Sequence, residues 1–216
     1  MNPLRGIPGL VSFERQSVSK QTLVAVMDDA IRALDSSGVD HLFIGSVASA
    51  VLGRPRWNRD GVDLDLLVRP EDAEPALQAF NDHGFATRLE DPDWIFKAMK
   101  DGVLVDLIFQ SAGGIFLDGP MLAHSAVHAF EGRHIRLPSP EDLVIMKALA
   151  YDEHTSRYWH DALSVLSSSR MDWDYLIQRS HVAGRRILSL LLFAQAIDIV
   201  VPSRVVRQLF DEVCDT

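Results

Sequence analysis

Apolar residues recur with two different periods along the first two thirds of this 216-residue chain. Residues 19–37 carry apolar side chains at helical spacing behind Ser19, a typical N-cap residue, and residues 71–82 show the same spacing behind Pro70. The Asp101-Gly102 pair predicts a two-residue hairpin turn. Shorter apolar or alternating segments predict strands at residues 42–44, 62–68, 85–89, 94–100, 103–110 and 135–137.

From residue 138 onward the pattern is helical only. Helices are predicted at residues 140–151, 156–166, after Asp172, at 186–197 and at 203–213, and a further one lies earlier at 121–129. A sheet-bearing half followed by a helical half predicts an α+β fold, with a mixed sheet flanked by helices and then a C-terminal helical bundle. The predicted domains are a loose arm (1–18), an α/β domain (19–137) and a helical domain (138–216), with a cleft between the last two.

Two carboxylates share one face of the strand at residues 62–68. Side chains alternate along a strand, so Asp63 and Asp65 point the same way, with Cα atoms about 6.6 Å apart. Aspartate is disfavoured in strands, and paired carboxylates suit Mg²⁺, which takes oxygen ligands together with substrate phosphates. The alternative is an acidic strand face that is simply solvated.

A Gly45-Ser46 turn joins the strand at 42–44 to a short helix at 46–52. Gly45 permits close backbone approach, and Ser46 is predicted to cap a helix whose free N–H groups favour an anion such as phosphate. An ordinary capped turn is the alternative. The pattern is much looser than a P-loop motif.

A third carboxylate, Asp106, lies among four apolar residues in the strand at 103–110. Neighbouring strands lie about 4.8 Å apart, so Asp106 could complete a cluster with Asp63 and Asp65 and hold two metal ions. An outward-facing aspartate on a half-solvated strand remains the alternative.

Basic residues accompany these carboxylates. Arg59 is predicted to bind a triphosphate, because guanidinium groups suit phosphate oxygens. For Arg54 and Arg56, phosphate binding and a solvated loop are equally good interpretations. Lys147 follows an apolar helical run from which it could reach a phosphate. His124 and His128 have the spacing of two zinc ligands on a helix, but no third ligand is evident, and surface histidines are the preferred interpretation.

Composition narrows the classes of protein. With 47% hydrophobic residues the chain can bury a core, and a net charge of −9 disfavours binding to long DNA or RNA. The one cysteine, Cys214, excludes an internal disulfide and suits a reducing cytoplasm. The N-terminus lacks the apolar segment of a signal peptide, and no membrane span is predicted.

Residues 38–165 resemble the nucleotidyltransferases of the DNA polymerase beta superfamily, particularly small bacterial abortive-infection toxins and antibiotic-modifying enzymes. The resemblance rests on the Gly45-Ser46 turn, the Arg59-x-Gly61-x-Asp63-Leu64-Asp65 segment, the strand of Asp106, and the 140–147 helix that ends in Lys147. It implies that the Gly-Ser turn and Lys147 contact the triphosphate, that the paired aspartates hold two Mg²⁺ (or Mn²⁺) ions, and that Asp106 helps to bind one ion and activates the acceptor.

Two departures from the family pattern concern nucleotide choice and the acceptor. Gly61 stands where many relatives have threonine, and the late helix reads Tyr158-Trp159-His160-Asp161 where a Lys-Asp pair is common. The roles of His160 and Asp161 stay open, between placing the acceptor and capping or core hydrogen bonding. Neither departure touches the predicted metal ligands.

The sequence therefore predicts a Mg²⁺-dependent nucleotidyltransferase that moves a nucleoside monophosphate from a nucleoside triphosphate to a hydroxyl acceptor and releases pyrophosphate. The acceptor is a small molecule, a tRNA or a protein. Three alternatives remain. Two are enzymes, namely a toxin-type enzyme that modifies a tRNA or a protein and an antibiotic-modifying enzyme. The third is a nucleotide-binding partner in a toxin–antitoxin pair that has no turnover.

Overall fold

One five-stranded mixed sheet organises the N-terminal half of the chain. A computed structural model describes residue 13 and residues 17–53, 63–152 and 156–214. The strand order is β1-β2-β5-β4-β3, in which β2 and β5 are parallel and the other neighbouring pairs are antiparallel. The strands are β1 (His41–Phe43), β2 (Leu64–Val68), β3 (Ala86–Asp91), β4 (Ile95–Lys100) and β5 (Val103–Ile108).

The predicted hairpin between β4 and β5 is confirmed. Asp101 and Gly102 have φ angles of 48° and 78°, as a two-residue turn with two left-handed positions requires. The turn pairs Lys100 with Val103 and, three residue pairs further along, Lys97 with Asp106. The turn therefore fixes which β4 side chain lies beside the central aspartate of β5.

Helices flank this sheet and then continue as the C-terminal half. α1 begins after Ser19, whose Oγ accepts a hydrogen bond from the N–H of Thr22 at 3.1 Å, so the predicted cap is confirmed. The mixed α+β architecture is also confirmed. The helices are α1 (Lys20–Ser36), α2 (Gly45–Leu52), α3 (Ala73–Asp82), α4 (Gly119–His124), α5 (Pro140–Ala150), α6 (Arg157–Ser168), α7 (Trp173–Arg179), α8 (Gly184–Ala196) and α9 (Ser203–Cys214).

The helix predicted at residues 121–129 is wrong in its second half. α4 ends at His124, and the chain then forms β6 (Ala126–Phe130), which pairs with β7 (Arg133–Leu137) in a separate two-stranded sheet. Alternating exposure along β6 suits a strand, and Gly132 provides the left-handed turn that follows it. His124 and His128 therefore do not share a helix face.

A buried ionic network holds the start of α4 and α5 against α7. Arg179 donates from Nε to Asp142 at 2.9 Å and from Nη1 to Asp118 at 2.6 Å. Tyr175 donates its hydroxyl to Asp142 at 2.9 Å, and the nearby carboxylates and burial raise its pKa, burial most strongly. Because residues from both halves take part, this network and the apolar core around it join the sheet to the helical bundle.

The predicted N-terminal arm and the predicted domain boundary are not tested by the structure. Most of the predicted loose arm, residues 1–18, falls outside the described residues, and the domain boundary at residues 137 and 138 stays a prediction. None of the described helices has both the length and the apolar composition needed to span a membrane.

Candidate active site

The parallel pairing of β2 with β5 brings three carboxylates together. Asp65 is the direct register partner of Asp106, and Asp63 comes just before β2. Asp63, Asp65 and Asp106 each offer one carboxylate oxygen, and these oxygens lie within 4.8 Å of one another. We call this group the carboxylate cluster. Asp63 and Asp106 are buried, being 8% and 7% exposed, so the solvated-strand alternative does not describe them.

Within the carboxylate cluster, the pKa of Asp65 is raised. Its pKa is raised to about 7, first because burial disfavours the charged form, and then because Asp63 and Asp106 add negative charge. Lys147 and the backbone N–H of Ser46 act in the opposite direction. Because ionising Asp65 is costly beside two other carboxylates, a cation bound among them would reduce the repulsion between their negative charges.

Gly45 lies against the carboxylate of Asp65. Its φ is +61°, and a Cβ atom there would lie 1.8 Å from Oδ2 of Asp65. The neighbouring N–H of Ile44 donates to the Asp65 carbonyl at 2.9 Å, which fixes the end of β1 beside β2. Glycine is therefore required at this turn by a left-handed backbone and by the space that Asp65 occupies.

The predicted capping role of Ser46 is wrong. α2 begins at Gly45 with Ile44 as its N-cap, and no side chain caps it. The helix already includes Gly45, so Ser46 lies inside the first turn. Its backbone N–H instead forms a hydrogen bond with Asp65. The turn thus contributes directly to the carboxylate cluster.

Lys147 reaches the site from the helical half. Its side chain is nearly buried, and Nζ lies 3.2 Å from Oδ2 of Asp161 and 4.9 Å from the ring centre of Tyr158. Its charge lowers the pKa of Asp65, so the ammonium group acts on the carboxylate cluster. The structure therefore assigns Asp161 a contact that the sequence left open: it is the ion-pair partner of Lys147. His160, its neighbour, is exposed.

Two basic residues near the cluster were missed by the sequence interpretation. Lys97 donates from Nζ to Oδ1 of Asp106 at 3.0 Å. Arg157 lies 5.1 Å from the ring centre of Tyr158, and its pKa is raised first by its hydrogen bond to Tyr158 and also by the negative charges of Asp63 and Asp161. The hairpin register could have found Lys97, because a two-residue turn at Asp101-Gly102 pairs Lys97 with Asp106. No comparable local pattern identifies Arg157.

Several predicted candidates are not brought to the cluster. The predicted phosphate ligand Arg59, together with Arg54, Arg56 and Gly61, lies outside the described residues. His124 stacks on Tyr175 with ring centres 3.8 Å apart, while His128 lies on β6. His124 and His128 therefore do not have the helical spacing that suggested a zinc pair. His124 is exposed, and His128 is half-buried.

The donor set fits a hard divalent cation. Carboxylate oxygens are the ligands that Mg²⁺ and Mn²⁺ prefer, and Mg²⁺ is usually held by one or two carboxylates together with substrate phosphates. The raised pKa of Asp65 shows that its environment penalises an uncompensated charge. Asp63, Asp65 and Asp106 are thus the residues that would hold such an ion.

Comparisons with known proteins concern the family and the fold. Residues 12–197 match the family described as "Uncharacterised nucleotidyltransferase". An antigenic nucleotidyltransferase-like protein from Paracoccidioides brasiliensis superposes with a TM-score of 0.56 at 18% identity, over 88% of this chain and 94% of that one. A search of curated proteins found no match.

Two structures of an antibiotic-resistance factor, ANT(2'')-Ia, are also similar. Its solution structure gives a TM-score of 0.54 at 15% identity, over 82% of this chain and 99% of that one. Its crystal structure in complex with adenylyl-2''-tobramycin gives a TM-score of 0.51 at 16% identity, over 76% of this chain and 98% of that one. At such identities the likeness is one of fold.

Proposed function

Because the chain belongs to the uncharacterised nucleotidyltransferase family and is an enzyme of that class, we propose that it transfers a nucleoside monophosphate from a triphosphate to a hydroxyl acceptor. The observation that carries the proposal is the carboxylate cluster, whose three oxygens lie within 4.8 Å beside the Gly45 turn. Mg²⁺, with Mn²⁺ as a substitute, is the proposed cofactor, in up to two ions.

Each residue of the cluster has a proposed role. Asp63 and Asp65 would hold a cation that accompanies the triphosphate, and Asp106 would serve the acceptor side. Gly45 and Ser46 bring the start of α2 close to the phosphates, where helix N–H groups favour negative charge. Lys147, held by Asp161, adds a positive charge from the helical half, and Arg59 is proposed as a further phosphate ligand.

In the proposed reaction the acceptor oxygen forms a bond to the α-phosphorus. The bond from that phosphorus to the oxygen bridging to the β-phosphate breaks, and pyrophosphate leaves with the bond's electrons. Asp106 accepts the hydroxyl proton and passes it to solvent. A divalent cation held by the cluster would stabilise the negative charge on the reacting phosphates, which is the largest contribution in this class of reaction.

A small hydroxyl-bearing molecule is the acceptor class to test first. The support is the complex of ANT(2'')-Ia with adenylyl-2''-tobramycin, a protein whose fold is similar to this one. A similar fold does not determine the acceptor, so acceptors of the other classes belong in the same experiment. The net charge of −9 weakly disfavours an RNA acceptor.

The test is label transfer from each of four α-³²P-labelled nucleoside triphosphates in the presence of Mg²⁺. Acceptors are supplied in separate reactions as a panel of aminoglycosides, purified tRNA, and a cell extract. We expect label in one acceptor class, release of pyrophosphate, and loss of both when EDTA is added. The wild-type chain is compared with Asp65→Asn and with Asp211→Asn, which removes one charge from the exposed surface of α9.

The outcomes separate the candidate functions. Label on tRNA or protein alone would replace the small-molecule acceptor with a toxin-type activity. Nucleotide binding by calorimetry without transfer to any acceptor would overturn the enzymatic proposal in favour of a binding partner. Equal transfer by the wild type and Asp65→Asn would remove the carboxylate cluster from the mechanism.

A further inference from the structure

A row of side chains crosses the sheet at the level of the carboxylate cluster. Lys97 on β4 pairs with Asp106 on β5, and Asp106 pairs with Asp65 on β2. Register partners on neighbouring strands present their side chains on the same face, about 4.8 Å apart. The row therefore places the ammonium group of Lys97 at one end of the carboxylate cluster, on the side of Asp106.

The contact between Lys97 and Asp106 is direct and largely shielded from water. Nζ lies 3.0 Å from Oδ1, and the two side chains are 18% and 11% exposed. An ion pair in this setting is less screened than one at the surface. Its effect is to neutralise the carboxylate that the proposed function assigns to the acceptor side.

The two lysines at the cluster differ in how they are held. Lys147 is 6% exposed and is fixed by Asp161 and by the ring of Tyr158. The side chain of Lys97 is 18% exposed, three times the exposed fraction of Lys147, and it has a flexible four-carbon stem. Rotation of this stem would move the ammonium group off Asp106 without a change in the backbone of β4.

We infer that Lys97 is a positioning residue that occupies the acceptor-side cation position on Asp106 and competes there with a divalent ion. The inference rests on the proposed function for the identity of that ion. Oδ1 of Asp106 accepts from the ammonium group, and the same oxygen lies in the set of ligands that could hold a metal. Lys97 keeps Asp106 oriented and the cluster less negative until the nucleotide and acceptor are in place.

A purely structural lysine would behave differently. If Lys97 only orients Asp106, its removal loosens a metal ligand and weakens metal binding. If Lys97 competes with the metal, its removal makes the cluster more negative and takes away one competitor for Asp106, and metal binding becomes tighter. The direction of the change in affinity therefore distinguishes the two roles.

The experiment measures Mn²⁺ binding by electron paramagnetic resonance of the free ion, with a non-hydrolysable triphosphate analogue present. For the wild type we expect one tight and one weak Mn²⁺ site. In Lys97→Met the weak site should tighten by about tenfold or more, because a positive charge has been removed at contact distance. Lys97→Arg keeps the charge and should resemble the wild type.

Lys100→Met is the matched control. Lys100 lies on the same strand and forms its ion pair with Asp29, away from the cluster, so the same loss of charge should leave both Mn²⁺ sites unchanged. Circular dichroism checks the fold of each variant, and Lys97→Gln replaces Lys97→Met if that chain does not fold. Unchanged or weaker Mn²⁺ binding in the folded Lys97 variant would overturn the inference.

Failure of this inference and failure of the proposed function give different results. Normal label transfer with identical Mn²⁺ isotherms in the wild type and Lys97→Met would overturn the role of Lys97 alone. A tightened second site in Lys97→Met, together with no transfer by the wild type to any acceptor, would support the competition and overturn the enzymatic proposal.

Discussion

Gly45 and Asp65 are so close that no other residue fits at position 45 without moving the carboxylate. A Cβ atom on Gly45 would lie 1.8 Å from Oδ2 and 2.5 Å from Cγ of Asp65. The turn before α2 and the acidic strand β2 are therefore one structural unit. A change in the turn must alter the position of a proposed metal ligand.

Gly45→Ala should abolish both nucleotide transfer and the stabilisation of the fold by Mg²⁺ with a triphosphate. The reason is the collision with Asp65, in addition to the strain of a side chain at a φ of +61°. Thermal melting with and without ligand, together with label transfer, measures both effects.

Gly84→Ala separates the strain from the collision. Gly84 has a φ of +80°, but a Cβ atom there would meet no atom within 4 Å. Gly84→Ala should lose about 1–2 kcal/mol of stability and keep transfer and the ligand-induced shift. If Gly45→Ala behaved like Gly84→Ala, contact with Asp65 would not matter to the site.

Asp106→Asn should bind the nucleotide and fail to react, whereas Asp63→Asn should do neither. The proposed cause is that Asp63 and Asp65 bind the ion that accompanies the triphosphate, while Asp106 acts on the acceptor side. A ligand at 100 times its dissociation constant stabilises the fold by about 2.7 kcal/mol, which raises the melting temperature of a chain of this size by roughly 5 to 10 °C.

Asp106→Asn should keep most of that shift, and Asp63→Asn should keep little. Equal losses in both variants would make Asp106 an ordinary ligand of the nucleotide-bound ion. Transfer at the wild-type rate by Asp106→Asn would remove it from the chemistry.

The metal-free protein should become less stable as the pH rises from about 4 to above 7, in part because of Asp65. Its pKa is about 7 in the folded chain against about 3.9 in an unfolded one. The folded state therefore binds more protons in this interval, and the stabilising contribution is complete below about pH 4 and lost as the pH rises through about 7.

Asp65→Asn removes this dependence. In EDTA its melting temperature should fall less between pH 5 and pH 8 than that of the wild type, and at pH 8 the variant should be the more stable of the two. Parallel pH curves for the two chains would show that Asp65 ionises in the folded state as it does in water.

Arg179→Met should destabilise the chain by about 3–5 kcal/mol, because it leaves the buried carboxylate of Asp142 without its cation. Denaturant unfolding measures the loss. Arg204→Met is the control, since Arg204 pairs with Asp174 at the surface and its removal should cost less than about 1 kcal/mol. Equal costs for the two variants would show that burial of the network adds nothing.

The sequence by itself determined the local elements and the residue types at the site. Alternation placed Asp63 and Asp65 on one face, the Asp101-Gly102 pair determined a hairpin, and Ser19 determined the start of α1. These features depend on a few neighbouring residues, whose backbone preferences and side-chain directions are set locally. The same local logic failed at residues 121–129, where a helix and a strand follow one another and the short apolar runs suit either.

Only the tertiary structure decided which distant segments meet. The parallel pairing of β2 with β5 set Asp65 beside Asp106, and the packing of the helical half brought Lys147 and Asp161 to the cluster. The helix α2 likewise begins at Gly45 with Ile44 as its N-cap, which the local capping preference of Ser46 did not predict. Strand order, side-chain burial and the raised pKa of Asp65 arise from contacts between residues far apart in the chain, which local patterns do not encode.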